Sequence, residues 1–137
     1  ESDTQNIKDA KRQVRESNYQ EAIGLYKDAL KLAPYLFKVW AELGTVYLDI
    51  KDYPRAQISL ERAVEGDPTQ PAVLSKLGLA HLYQNNTEKA LDLLYQAYRE
   101  RETHVIYVNV DPRLESLRTE PRFRQLVIRM GLSPTLA

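Results

Sequence analysis

In the middle of the chain Leu36, Trp40, Leu43, Tyr47 and Ile50 follow one another in steps of four and three, the spacing that lays apolar side chains along one stripe of an α-helix. Lys51-Asp52 then predicts a turn, with Asp52 as the cap of a second helix and Pro54 in its first turn, where a missing N–H costs little. Ala56, Leu60, Ala63 and Val64 give that helix its apolar face, and Gly66-Asp67-Pro68 predicts its end. The unit is a pair of helices joined by a short turn.

The pair recurs. Ala22, Ala56 and Ala90 are separated by 34 residues each time, as are Ala29, Ala63 and Ala97, and Tyr26, Leu60 and Leu94. Pro34 and Pro68 keep the interval, with Glu102 in that place in the third copy, and Tyr19 and Tyr53 match with Thr87. Gly44 faces Ala56 in this scheme, and Gly78 faces Ala90. Glycine inside a helix costs about 1 kcal/mol relative to alanine, so its use at the same repeat position twice calls for a reason. Close approach of two antiparallel helices supplies one, since a larger side chain there would overpack the contact at roughly 1–3 kcal/mol.

Trp40-x-x-Leu43-Gly44-x-x-Tyr47 followed by Ala56, Leu60, Ala63 and Pro68 resembles a full tetratricopeptide repeat. The third copy resembles it through Leu74, Leu77, Gly78, His81, Ala90, Leu94 and Ala97, and the first through Tyr19, Ala22, Tyr26, Ala29 and Pro34. In the first copy's opening helix the inward positions hold Asn6, Asp9, Ala10 and Gln13. That helix is expected to be a polar end cap; the alternative is a slipped register with Ile7, Ala10 and Val14 facing inward. The resemblance implies an all-α fold, a right-handed superhelical stack of antiparallel helix pairs. The single domain over 1–137 would hold repeats at about 3–36, 37–70 and 71–104, a C-terminal helical cap at about 105–132 and a tail at 133–137.

Residues after 103 leave the repeat pattern. Asp111-Pro112-Arg113-Leu114-x-x-Leu117-Arg118 is echoed by Glu120-Pro121-Arg122-Phe123-x-x-Leu126-Val127, and an acidic residue before proline suits a helix start. Phe123, Leu126, Val127 and Met130 then form a helical stripe ended by Gly131. A repeat stack exposes an apolar face at its end, here Leu91, Leu94, Tyr95 and Tyr98, so this tail is expected to cover it. Residues 105–110 have strand-forming composition; they read either as a helical turn running into extended chain or as a lone strand able to pair with a second molecule. Residues 90–132 also resemble the closing segment of repeat regions at the C-termini of bacterial signalling proteins: transcription regulators, nucleotide cyclases and kinases. With no methionine at the start, this favours a piece of a larger protein, a regulatory or sensory region with self-association among its expected uses.

Composition narrows the chemistry. Lysine plus arginine (19) balances aspartate plus glutamate (19), so no net field recruits nucleic acid or anionic lipid, and neither is expected as a partner. There is no cysteine, which removes disulfides and thiolate chemistry. No apolar run is long enough to span a bilayer and the start does not resemble a leader; the sequence does not fix the compartment, and a cytoplasmic setting is favoured over others. No phosphate loop, His-Glu-x-x-His or nucleophile elbow is present. His81 falls on the packing stripe, and His104 has no partner at metal-ligand spacing. No catalytic residue, metal or cofactor is expected; the expected activity is binding, by a protein-interaction scaffold.

The resemblance also implies where a ligand would lie. In the family the first helix of each repeat lines a concave groove, and its offset positions here are Lys38, Ala41, Thr45, Leu48 and Asp49 in the second repeat. In the third they are Ala72, Ser75, Leu79, Leu82 and Tyr83, and in the first Thr4, Ile7, Lys11, Val14 and Arg15. The family branch that clamps chaperone C-termini uses positions held here by Ile7, Lys11, Glu42, Ala72 and Lys76. Only Lys76 suits that role and Glu42 brings the opposite charge, so chaperone tails are disfavoured. Leu48, Leu79, Leu82 and Tyr83 instead predict apolar anchors, with Lys11 and Arg15 basic at one end, for an extended or helical segment of a partner, of the parent protein or of a second copy in a homodimer. The competing reading has Leu79 and Leu82 packing on neighbouring helices.

Overall fold

The computed structural model describes residues 2–99 together with Pro121, Arg124 and Gln125, whose backbone is helical. Six helices account for the continuous stretch: α1 Ser2–Arg15, α2 Tyr19–Leu32, α3 Phe37–Asp49, α4 Tyr53–Gly66, α5 Pro71–Leu82 and α6 Thr87–Arg99. Among the described residues there is no strand. Of the expected cap at 105–132 only Pro121, Arg124 and Gln125 are described; the two readings of 105–110 and His104 lie outside the described residues. Two compact units divide the chain after Pro68. In the first, α1 packs on α2 and α3 on α4, with α2 also against α3; in the second, α5 packs on α6.

The 34-residue columns form the core. Ala22, Ala56 and Ala90 are fully buried, Tyr26, Leu60 and Leu94 are 2%, 0% and 1% exposed, and Ala29, Ala63 and Ala97 are 0%, 5% and 0% exposed. Small residues alternating with one large residue let the second helix of each pair lie close to the first while still filling the space between them. A Cβ on Gly44 would sit 2.6 Å from Leu60 Cγ and 3.4 Å from the Ala56 carbonyl, inside van der Waals contact. At Gly78 the same atom would meet the Ala90 carbonyl and Leu94 Cγ at 3.3 Å, a tighter than usual but softer contact. Ala10 takes the equivalent place in α1 and is fully buried. Asn6, Ile7, Gln13 and Val14 are all half-buried around it, so the inner face of α1 is centred on Ala10 and draws on both sets of residues.

The turns inside the pairs are built alike. Ser17, Lys51 and Asn85, again 34 apart, adopt φ values of 61°, 65° and 64°, the left-handed region that non-glycine residues seldom occupy. The following backbone N–H reaches back to close the first helix: Asn18 to the Gln13 carbonyl at 2.8 Å, Asp52 to Tyr47 at 2.9 Å and Asn86 to His81 at 2.9 Å. Asp52 then accepts from the Arg55 backbone N–H at 3.3 Å, the cap expected of it, and Pro54 lies in the first turn of α4. α4 stops where Gly66-Asp67-Pro68 predicts, though the glycine acts there through packing and not through its backbone. Gly66 is the last helical residue of α4 and needs no positive φ; a Cβ there would collide with the Phe37 ring, so glycine serves close packing onto the start of α3.

Candidate binding surface

The packing of each pair decides which first-helix positions remain available. Lys11 and Arg15 on α1, and Lys38 and Asp49 on α3, are exposed. Thr45 is half-buried and its hydroxyl donates to the Ala41 carbonyl at 2.9 Å, tying it to its own helix. Leu48 is 9% exposed and Leu82 7%, so both are spent on packing, whereas Leu79 on α5 and Tyr83, the residue that caps it, stay half-exposed. Ser75 is half-buried, and its hydroxyl oxygen has no hydrogen-bond partner among the described residues. Of the expected positions in the first unit, those left exposed are thus three long basic side chains and one short acid. In the second, Leu79 and the capping Tyr83 are the half-exposed large side chains among the expected positions.

Glu42 modifies the electrostatics in a way the sequence reading missed. Its carboxylate accepts from the Tyr26 hydroxyl at 2.9 Å and lies 3.7 Å from Lys11 Nζ, linking α2, α3 and α1. Burial first, and the Glu42 carboxylate second, raise the Tyr26 pKa well above its ordinary value of 10.0, because ionisation would set a second anion beside the first in a partly dry site. Lys11 is therefore partly neutralised, and Arg15 and Lys38 carry the basic character of these faces. The only sequence signal was Glu42 standing beside the packing stripe, next to Leu43.

His81 is 5% exposed, and its Nδ1 lies 3.2 Å from Asn86 Nδ2 in the turn after α5; with that amide donating, Nδ1 accepts and the imidazole is part of the helix closure. Among the described residues no group of three or more histidines and carboxylates could hold a metal ion, and no helix is long and apolar enough to cross a membrane. Leu91 and Leu94, expected to need a cover, are 2% and 1% exposed, and Tyr95 is half-buried. The Tyr98 side chain lies outside the described residues.

Comparison with known proteins follows the same lines. A family model described as Tetratricopeptide repeat matches residues 13–80. Tetratricopeptide repeat protein 37 of Xenopus laevis is 29% identical over 83 residues, which cover 61% of this chain and 5% of that protein, so the chain spans a small fraction of that relative. Among solved structures, MamA protein superposes with a TM-score of 0.81 at 22% identity, covering 95% of this chain and 72% of that one. The first TPR of Spaghetti (RPAP3), bound to an HSP90 peptide, gives 0.72 at 14% identity, covering 95% and 94%. The N-terminal domain of stress-induced protein-1 from C. elegans gives 0.69 at 17% identity, covering 85% and 94%. At such identities these structures speak for the fold. Periodic sequence, paired helices and family match agree: the chain belongs to the tetratricopeptide repeat family.

Proposed function

We propose that the chain is a protein-interaction scaffold that holds a peptide segment or helix of a partner against the outward faces of its first helices, and that it performs no catalysis of its own. One observation carries the reading. The core columns repeat the same kinds of side chain every 34 residues, while the accessible columns change chemistry in each copy: Thr4, Lys38 and Ala72; Lys11, Thr45 and Leu79; Arg15, Asp49 and Tyr83. Packing demands the first kind of column and leaves the second free to encode recognition. Leu79 and Tyr83 supply the apolar contact, and tyrosine suits interfaces because a rigid amphipathic ring loses little entropy on binding. On the first unit, Arg15, Lys38 and Asp49 offer charged contacts that orient a segment lying there without adding much affinity, since exposed ion pairs contribute only ~0–1 kcal/mol each. The RPAP3 relative, bound to an HSP90 peptide, supports peptide holding as a use of this fold. With Glu42 engaged by Tyr26 and Lys11, a partner of different chemistry is expected for this chain.

The test is affinity capture on the immobilised chain, with the retained proteins identified by mass spectrometry and the capture repeated with Leu79→Glu and Tyr83→Ala. Both positions are half-exposed, so the variants should keep the wild-type circular dichroism while retaining the partner at least tenfold less. Equal retention by a folded Leu79→Glu variant, or no retention by wild type above bare resin, removes the reading.

A further inference from the structure

A second surface lies on the first unit, away from the first-helix positions discussed above. Between α2 and α4, with α3 as its floor, the chain forms an open cavity of about 370 Å³, within the ~300–1,000 Å³ common to ligand pockets. Its base is apolar: Leu30, Leu43 and the Tyr47 ring are 6%, 1% and 4% exposed. Trp40 forms one wall, fixed by its indole N–H donating to the Pro34 carbonyl at 3.0 Å and by the Arg62 guanidinium 5.0 Å from the ring centroid. Ile58, 60% exposed, stands at the mouth on the α4 side.

The two banks differ in charge. On α4, Arg55 is held by Asp52 at 2.8 Å, and Arg62 lies 3.7 Å from Glu65 as well as against Trp40, so both cations are already answered. On α2, Lys27 and Lys31 are exposed, one helical turn apart on the same face, and neither forms an ion pair among the described residues. No carboxylate lines the cavity. The mouth therefore combines an uncompensated positive edge with a pre-formed apolar pocket.

We infer that this cavity is a docking site for an acidic peptide segment bearing a bulky apolar anchor. The anchor enters between Trp40 and Ile58, and flanking carboxylates face Lys27 and Lys31. The apolar contact supplies most of the affinity, and the one-sided charge fixes the direction in which the segment lies. This goes beyond the proposed function and does not rest on it, because the second helices α2 and α4 supply its banks.

Trp40 is the only tryptophan, so its emission reports directly on the cavity. The probe is a capped twelve-residue peptide with two leucines and four glutamates, titrated into the full chain at low salt. A saturable change in Trp40 emission is expected. Lys27→Gln with Lys31→Gln should weaken it about tenfold, roughly half an order of magnitude per lost ion pair, and the difference should shrink in ~0.5 M salt. Ile58→Glu, at an exposed position, should weaken it at least as much, while Leu79→Glu should leave it unchanged, which separates this site from the first-helix faces. The inference is overturned if no saturable response is seen up to millimolar peptide, or if the double lysine variant, folded by circular dichroism, binds like wild type. It is equally overturned if peptides with glutamine for glutamate, or alanine for leucine, bind as well as the probe, if free glutamate reproduces the response, or if the response tracks self-association in sedimentation.

Discussion

Three glycines show how differently one residue type can be constrained. At Gly44 an added methyl would sit 2.6 Å from Cγ of the fully buried Leu60, so that side chain would have to shift within the core. At Gly24, on the exposed side of α2, the added methyl meets nothing within 4 Å. Gly24→Ala should therefore stabilise the chain by about 0.5–1 kcal/mol through helix propensity and a less disordered unfolded state. Gly44→Ala should destabilise it by about 1–3 kcal/mol despite the same gain in propensity, and Gly78→Ala should fall between them. Urea denaturation of the three variants checks the order; a stabilised Gly44→Ala would mean that Leu60 can yield. Tyr26 makes a different residue-level prediction. Its proton is held more tightly in the folded chain than in the unfolded one, so its contribution is intact below the ordinary pKa of 10.0 and is lost as pH rises through the higher folded value. Tyr26→Phe should cost about 1.5–3 kcal/mol at neutral pH, the worth of a hydrogen bond to a charged acceptor, and its stability should fall less steeply than wild type above pH ~10. Parallel denaturation curves at neutral and alkaline pH read both effects.

The helices were legible in the sequence, and so was the Asp52 cap between α3 and α4, but the backbone conformation shared by the three turns was not. Alternating steps of three and four located α3, and Ala22, Ala56 and Ala90 located the helices that pack on their partners, because those features follow directly from helix periodicity and close approach. Ser17, Lys51 and Asn85 share a left-handed conformation yet have three unrelated side chains, so no residue-type signal marked the column. The surrounding fold imposes the conformation: the backbone bonds from Asn18, Asp52 and Asn86 require that turn regardless of side chain. The same limit explains Leu48 and Leu82, which belong to an offset column by spacing but to the core by burial; how far a packed face extends around a helix depends on its neighbours. A left-handed residue other than glycine is disfavoured by roughly 1–2 kcal/mol, partly offset because glycine leaves the unfolded chain freer. Lys51→Gly should thus raise stability by about 0.5–1 kcal/mol, and Asn85→Gly by less, since asparagine tolerates this region. Thermal melts of the two variants test this; a destabilised Lys51→Gly would mean that the lysine side chain itself supports the turn.

At the scale of the whole molecule the governing quantity is charge balance. Nineteen basic and 19 acidic side chains leave no net charge at neutral pH, and the isoelectric point is near 7.0. Without net repulsion, weak attractions between exposed groups go unopposed, among them the bare edge of Lys27 and Lys31 and the apolar Leu32, Tyr35 and Ile58, which are 59%, 68% and 60% exposed. Self-association measured near pH 7 is thus expected to include a nonspecific part, and a homodimer has to be distinguished from it. Static light scattering at low salt should show attraction strongest near pH 7 and weaker at pH ~5.5 and pH ~8.5, on either side of the isoelectric point, where the net charge departs from zero. A dimer held by a defined apolar patch would behave otherwise, keeping a fixed mass across that range and through added salt, because apolar burial does not follow the net charge. Fixed stoichiometry at all three pH values would therefore place a specific self-interface on this chain, whereas attraction confined to the isoelectric region would leave its exposed surfaces to partners of other sequence.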